Sequence, residues 1–191
     1  MPHMCEDFSA GVLSELRAAT SSGKVQNNSR LSREVYFSWD ADQGRCDLDH
    51  SSAAGELLAF EAHVTGSPRW FALNIGLGWG KFSLGDTLVI VLDAEAGSAF
   101  GAEALIRSAI DGEVMDTPLD DRIRIGRKRS ISTLMHRIEP RDALAQSEAF
   151  HTLTIGLPKS YQKVSLHDLG VFVVPAFAGQ MPSPITLSSY G

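Results

Sequence analysis

Arg69-Trp70-Phe71-Ala72-Leu73-Asn74-Ile75-Gly76-Leu77, the Gly-rich segment Gly78 to Gly85 and Thr87-Leu88-Val89-Ile90-Val91-Leu92 decide the fold. No other stretch of the chain is as apolar and aromatic. Phe71, Leu73, Ile75 and Leu77 recur at every second residue, which is the period of a strand. They form one face, and Trp70, Ala72 and Asn74 form the other. Leu88 to Leu92 is apolar on both faces, as a strand covered from both sides requires. The glycines between the two runs mark the turn that joins them.

Working outward, Val35, Phe37 and Trp39 alternate with Glu34, Tyr36 and Ser38, and Leu58, Phe60, Ala62 and Val64 alternate with Glu61 and His63. Asp40 to Gly55 reads as a polar loop between these strands. Further strands are expected at 104–110, at Ile123 and Ile125 with Ile131, Thr133 and Met135 as their hairpin partner, at 153–157 and at 171–174. Asp111-Gly112 and Asp116-Thr117-Pro118 mark turns. Toward the N-terminus, Phe8, Val12, Leu13 and Leu16 carry helical spacing within 5–19, with Ser9 as candidate N-cap. Pro140 can open a second short helix over 142–149.

Eight or nine short strands, little helix and no strand–helix alternation argue for an all-β antiparallel two-sheet β-sandwich, jelly-roll-like, with one or two short helices. The expected organisation is a short helix and linker over 1–30, the sandwich over 31–175 and an irregular strap over 176–191.

Composition narrows the function classes. A chain of 191 residues that is 43% hydrophobic and 21% charged has the balance of one soluble globular domain. Its net charge of −6 disfavours nucleic acid as a partner. No apolar run is long enough to span a bilayer, and no leader pattern opens the sequence, so membrane partners are not expected and the cytoplasm is the default. Two cysteines, Cys5 and Cys46, exclude a disulfide-rich scaffold and are expected as free thiols. Asn27-Asn28-Ser29 matches the glycosylation sequon, which without a secretory signal reads as chance.

Familiar catalytic signatures are missing. Around Gly80-Lys81, Ile75 stands where a phosphate loop needs glycine and Phe82 where it needs Ser or Thr. Gly66-Ser67 lacks a nucleophile elbow. Glu61 and His63 lie about 7 Å apart on one strand face. They are the candidate acid and base of a cofactor-independent lyase, isomerase or cyclase, set against a plain solvated strand. Asp40, Asp42, Asp47 and Asp49 offer oxygens that calcium would need, without an EF-hand's spacing, against a solvated acidic loop. No cofactor is otherwise implied.

The binding candidates are clearer. Trp70 and Asn74, about 13 Å apart on one face by strand rise, and Trp79 in the adjoining turn can stack on and hydrogen-bond to a polyhydroxy ligand. Tyr36 can join them if its strand is a neighbour. Within the five-cation segment 122–129, Arg122 and Arg124 can meet anionic groups. Against this stand a core role for the tryptophans and a solvated outer face for the arginines.

The order of an aromatic-start strand (Trp70 to Ile75), a Gly-rich turn, the step Gly85-Asp86, the strand Leu88 to Leu92 and the later Pro118-Leu119-Asp120-Asp121 resembles DOMON domains and related carbohydrate-binding modules. The likeness covers roughly residues 57 to 125. It implies a sandwich that binds sugar or haem, and haem in that family would need a Met and a His on separate strands, here Met115 or Met135 with His63 or His151. Expectation therefore centres on a non-catalytic module binding a glycan or other small molecule. The enzyme on the same fold stands second, and an interaction module that pairs through a strand edge or apolar patch, with a partner chain or as a homo-oligomer, stands third.

Overall fold

The computed structural model describes residues 3–53 and 55–176. In chain order its elements are α1 (Met4–Ala18), β1 (Ser21–Lys24), β2 (Arg30–Ser32), β3 (Val35–Trp39), β4 (Gly44–Ser52), β5 (Leu58–Gly66), β6 (Phe71–Gly80) and β7 (Thr87–Ala96). There follow β8 (Phe100–Ala102), β9 (Ala104–Ile110), β10 (Glu113–Pro118), β11 (Ile123–Ile125), β12 (Ser130–Arg137), α2 (Ala143–Gln146), β13 (Ala149–Gly156) and β14 (Gln162–Val174). A first sheet runs β1-β4-β5-β14-β7-β12 and a second β10-β9-β13-β6-β3-β2, with every pairing antiparallel. The two-sheet sandwich expected from the alternation is the fold.

Its core forms where the inward faces meet. Phe37, Phe71, Leu73 and Ile75 of the second sheet face Leu48, Leu58, Leu88 and Ile90 of the first, all buried. Burial of this apolar area, worth about 25 cal/mol per Å² removed from water, drives the association of the sheets. The open side of the sandwich is filled by α1, which packs on β6 and β14 and adds Cys5, Val12, Leu13 and Leu16 to the core. Burial pushes the Cys5 thiol up to about 12 and the half-buried Cys46 thiol to about 11.

Several local expectations are corrected. The cap of α1 is His3, not Ser9. Cys5 N donates to His3 Nδ1 at 3.2 Å and His3 N donates to Glu6 Oε2 at 2.8 Å, while Ser9 lies buried inside the helix and donates back to the Glu6 carbonyl. The expected linker contains β1, an edge strand exposed along its whole length and therefore without an apolar alternation to read. Most of the expected acidic loop is β4, whose outward positions carry the acids that made it look like a loop. β11 pairs with β8 and not with β12, which instead completes the first sheet beside β7. The sequon's Asn27 side chain is committed to both backbone groups of Trp39. Apart from Ala176, the expected C-terminal strap lies outside the described residues.

Candidate functional site

The outer face of the second sheet carries a cleft of about 1110 Å³, just above the roughly 300–1,000 Å³ usual for small-molecule sites. Its floor is made shallow by small outward residues on the two central strands, Ala72 on β6 with Thr154 and Gly156 on β13. Tyr36 and Ser38 of β3 wall one side and Leu105 and Arg107 of β9 the other. Loops close one end: Arg69-Trp70 before β6, Leu119 to Arg122 after β10, and Leu157 to Lys159 after β13. Toward α1 the floor ends at Gly76, where Glu34 and Phe150 stand so close that any Cβ would collide with Glu34 at 2.6 Å.

Trp70 is 45% exposed at the loop end of this cleft. The Arg69 guanidinium lies 5.0 Å from its ring centroid, and Arg69 Nε donates to the buried Asp40 at 2.7 Å. That contact holds the Asp40 carboxyl below the usual carboxylate range. Tyr36 is half-buried on the β3 wall, and burial pushes its hydroxyl pKa up, so it stays a neutral donor and acceptor.

Asn74 has a different role from the one expected of it. It is 1% exposed, donates to Ser38 Oγ at 2.9 Å and accepts from Thr154 Oγ1 at 2.9 Å. Its amide is spent tying β3, β6 and β13 together beneath the cleft. Trp79 is not in a turn but in β6. A bulge at Leu77, where His151 pairs with Gly78 and Thr152 with Gly76, carries Trp79 onto the outer face, where it is 59% exposed and packs edge-on against Phe150. Nine residue steps along the extended chain, about 30 Å, separate it from Trp70, so the two rings do not share a platform.

Arg122 lines the cleft and pairs with Glu103, and Arg124 lines a second hollow of about 600 Å³ continuous with it. The sequence reading missed three groups here. Arg107 is held bidentate by Asp116 at 2.8 Å on each arm, and the alternation of Ala104, Ile106 and Ser108 already set it outward. Lys159 donates to the Arg69 carbonyl at 3.0 Å. Asp120 stands on the wall loop and contacts buried His136, which contacts buried Asp142 on its other side. No sequence motif links these three residues, which meet only because the edges of the two sheets come together.

The remaining candidates lie away from the cleft. Glu61 and His63 point outward on β5 in the first sheet, with Glu61 accepting from Tyr161 Oη at 3.0 Å; neither the cleft nor the second hollow includes them. The calcium candidates do not converge: Asp40 is taken by Arg69, Lys24 bridges Asp47 and Asp49, and no group of three metal-capable side chains forms among the described residues. Of the residues considered for haem, His151 is fully buried with both nitrogens engaged, by Ser108 Oγ and the Gly80 carbonyl at 2.9 Å each. Met135 and His63 lie outward on the first sheet, and Met115 is 38% exposed on the edge strand β10. The first sheet's outer face also exposes Ile131, Met135, Phe172 and Val174, the kind of apolar patch an assembly module would need. No helix among the described residues is long and apolar enough to cross a membrane.

No protein-family model matches the chain, and no curated protein is similar enough to count as a relative. Solved structures share the fold. A carbohydrate-binding module of family 4 aligns over 79% of this chain and 94% of its own at 12% identity, with a TM-score of 0.53. The family 22 xylan-binding domain of Paenibacillus barcinonensis Xyn10C aligns over 83% and 99% at 10% identity, TM-score 0.48. A Stig cyclase of Fischerella sp. TAU aligns over 82% and 100% at 10% identity, TM-score 0.44. The likeness to carbohydrate-binding modules is thus a likeness of fold, and DOMON domains are not among these neighbours.

Proposed function

We propose that this chain is a non-catalytic binding module that holds an oligosaccharide in the cleft on the outer face of its second sheet. The observation that carries the reading is Trp70. A large aromatic ring left 45% exposed at the end of a concave, small-floored cleft has no packing role that requires that exposure. Its face suits the apolar face of a sugar ring, and Tyr36, Ser38, Thr154 and Lys159 supply hydroxyl and ammonium groups to read sugar hydroxyls. The fold shared with the family 4 module supports a sandwich scaffold of this shape.

Tryptophan fluorescence tests it. Trp39 is buried, and Trp79 is exposed but remote, so Trp79→Phe leaves Trp70 as the exposed reporter. Titration of this variant with a panel of neutral and acidic oligosaccharides should give saturable quenching, lost in Trp70→Ala/Trp79→Phe with the fold intact by circular dichroism. Absence of any saturable response across the panel overturns the reading.

A further inference from the structure

We infer that the cleft, read as above as an oligosaccharide site, selects anionic polysaccharides, with Arg124 in the second hollow and Lys159 beside Trp70 as the groups that read the charge. Most charges lining the two cavities already have partners: Arg69 has Asp40, Arg107 has Asp116, Arg122 has Glu103 and Asp120 has His136. Among the described residues, three lining charges have no ion-pair partner, namely Arg124, Lys159 and Asp121. Lys159 donates only to a backbone carbonyl. Two cations against one anion remain for a ligand, and the exposed Arg127 and Lys128 in the turn after β11 add two more beside the hollow.

The surroundings of Arg124 suit an incoming anion. It is the outward residue of β11, between buried Ile123 and Ile125, and its cross-strand partner on β8 is Gly101. The place a Cβ at Gly101 would take is flanked by the Arg122 side chain at 3.5 Å, so the two arginines stand over one glycine, and Gly101, Arg122 and Arg124 all line the hollow. The planar guanidinium fork matches a carboxylate or a sulfate with two parallel N–H donors. The neighbouring Arg122–Glu103 pair is solvent-exposed on both sides, so a ligand carboxylate can displace Glu103 at little cost. The first cleft and the second hollow share Phe100, Gly101 and Asp120 to Arg122 in their walls, so one extended chain can place a sugar ring against Trp70 and an acidic unit against Arg124.

Calorimetric titration of the whole chain with polygalacturonate oligomers, sulfated galactan oligomers and neutral xylan oligomers of one length tests the inference. The expected result is acidic over neutral binding by on the order of tenfold at low salt, shrinking as salt rises. Whether uronate or sulfate binds more tightly identifies the anion. In Arg124→Gln, and separately in Lys159→Gln, the acidic-to-neutral ratio should fall toward one. Equal affinities for neutral and acidic oligomers, an unchanged ratio in both variants, or a DNA oligomer of equal charge binding as tightly as the acidic glycan overturns the inference and leaves the oligosaccharide site standing. Failure of every saccharide to bind overturns both.

Discussion

His136 Nδ1 stands 3.0 Å from Asp120 Oδ2, and the other face of this contact is a second carboxylate, Asp142 Oδ2, 3.1 Å from His136 Nε2. A neutral imidazole has one donor, and two N–H···O contacts to carboxylates need two. Asp142 is buried and also accepts from Glu139 N at 2.7 Å, whereas Asp120 is 55% exposed by side chain and lies in the cleft wall. His136 thus joins an exposed residue of the wall loop to a buried carboxylate.

His136→Leu should consequently cost about 2–4 kcal/mol, because it strands a buried carboxylate with a single donor. Asp120→Asn should cost under about 1 kcal/mol, since the exposed partner can be solvated. Both should speed amide exchange across residues 119–122. Urea denaturation gives the first quantity and hydrogen exchange the second; unchanged exchange in both variants would show that the latch does not hold the wall.

Trp70 and Asn74 were expected as one platform, and their burial separates them. Trp70→Ala removes an exposed ring and should change stability by no more than about 0.5 kcal/mol while weakening glycan binding by roughly tenfold. Asn74→Ala removes the amide that joins Ser38 to Thr154 and should cost about 1–2 kcal/mol of stability, with only a small change in affinity at a temperature where the protein remains folded. Paired thermal melts and titrations distinguish the two; equal effects on binding would return Asn74 to the ligand.

Where neighbours were local or a face was strictly alternating, the sequence was legible. Leu58 to Val64 reads correctly because one side is core and the other is not, and Phe71 to Leu77 because its large apolar residues all fall on one parity, although both of its sides are buried. Legibility failed for strands such as Ser21–Lys24, where neither side is buried and the chain is held to β4 by backbone bonds and exposed polar contacts such as those of Lys24 with Asp47 and Asp49. It failed for β11, because Ile123 and Ile125 carry the period of a strand but no mark of which strand they will meet. For the site, residue parity placed Trp70 on the outer face, but the bulge at Leu77 shifted Trp79 in a way that alternation alone does not anticipate. The Asp120–His136–Asp142 contact joins residues from a loop, an edge strand and the N-cap of α2, so no spacing in the chain announces it.

Gly78 and Gly112 separate two costs of replacing glycine. Both have positive φ, +85° and +86°. Gly112 ends the Asp111-Gly112 hairpin turn, with nothing within 4 Å of a Cβ, so Gly112→Ala should cost about 1–2 kcal/mol from the backbone alone. At Gly78 a Cβ would lie 2.5 Å from Cγ of Phe8 on α1. Gly78→Ala should add a further 1–3 kcal/mol, about what overpacking costs, and should loosen α1. Denaturation midpoints of the two variants, with Phe8→Ala/Gly78→Ala as a rescue, test this; equal midpoints would mean that α1 yields freely.

His151 gives the fold a pH dependence whose direction follows from its site. Burial lowers its pKa below the ordinary value near 6.5, outweighing the Gly80 carbonyl that favours the protonated ring, while the nearby His3 also lowers it. The contacts define one tautomer: Nε2–H donates to the Gly80 carbonyl and Nδ1 accepts from the Ser108 hydroxyl. Below pH 6.5 the unfolded chain binds a proton at this residue before the folded one does, so stability rises with pH across the interval between the folded and unfolded pKa values. Its contribution is fully present above pH 6.5 and is lost on acidification through that interval, with a slope of at most about 1.4 kcal/mol per pH unit. His151→Gln keeps a donor and an acceptor without titrating, so it should flatten the dependence of the melting temperature on pH in this window, even if it lowers stability throughout. Wild type and variant running parallel as the pH falls from neutrality would place the acid sensitivity elsewhere in the chain.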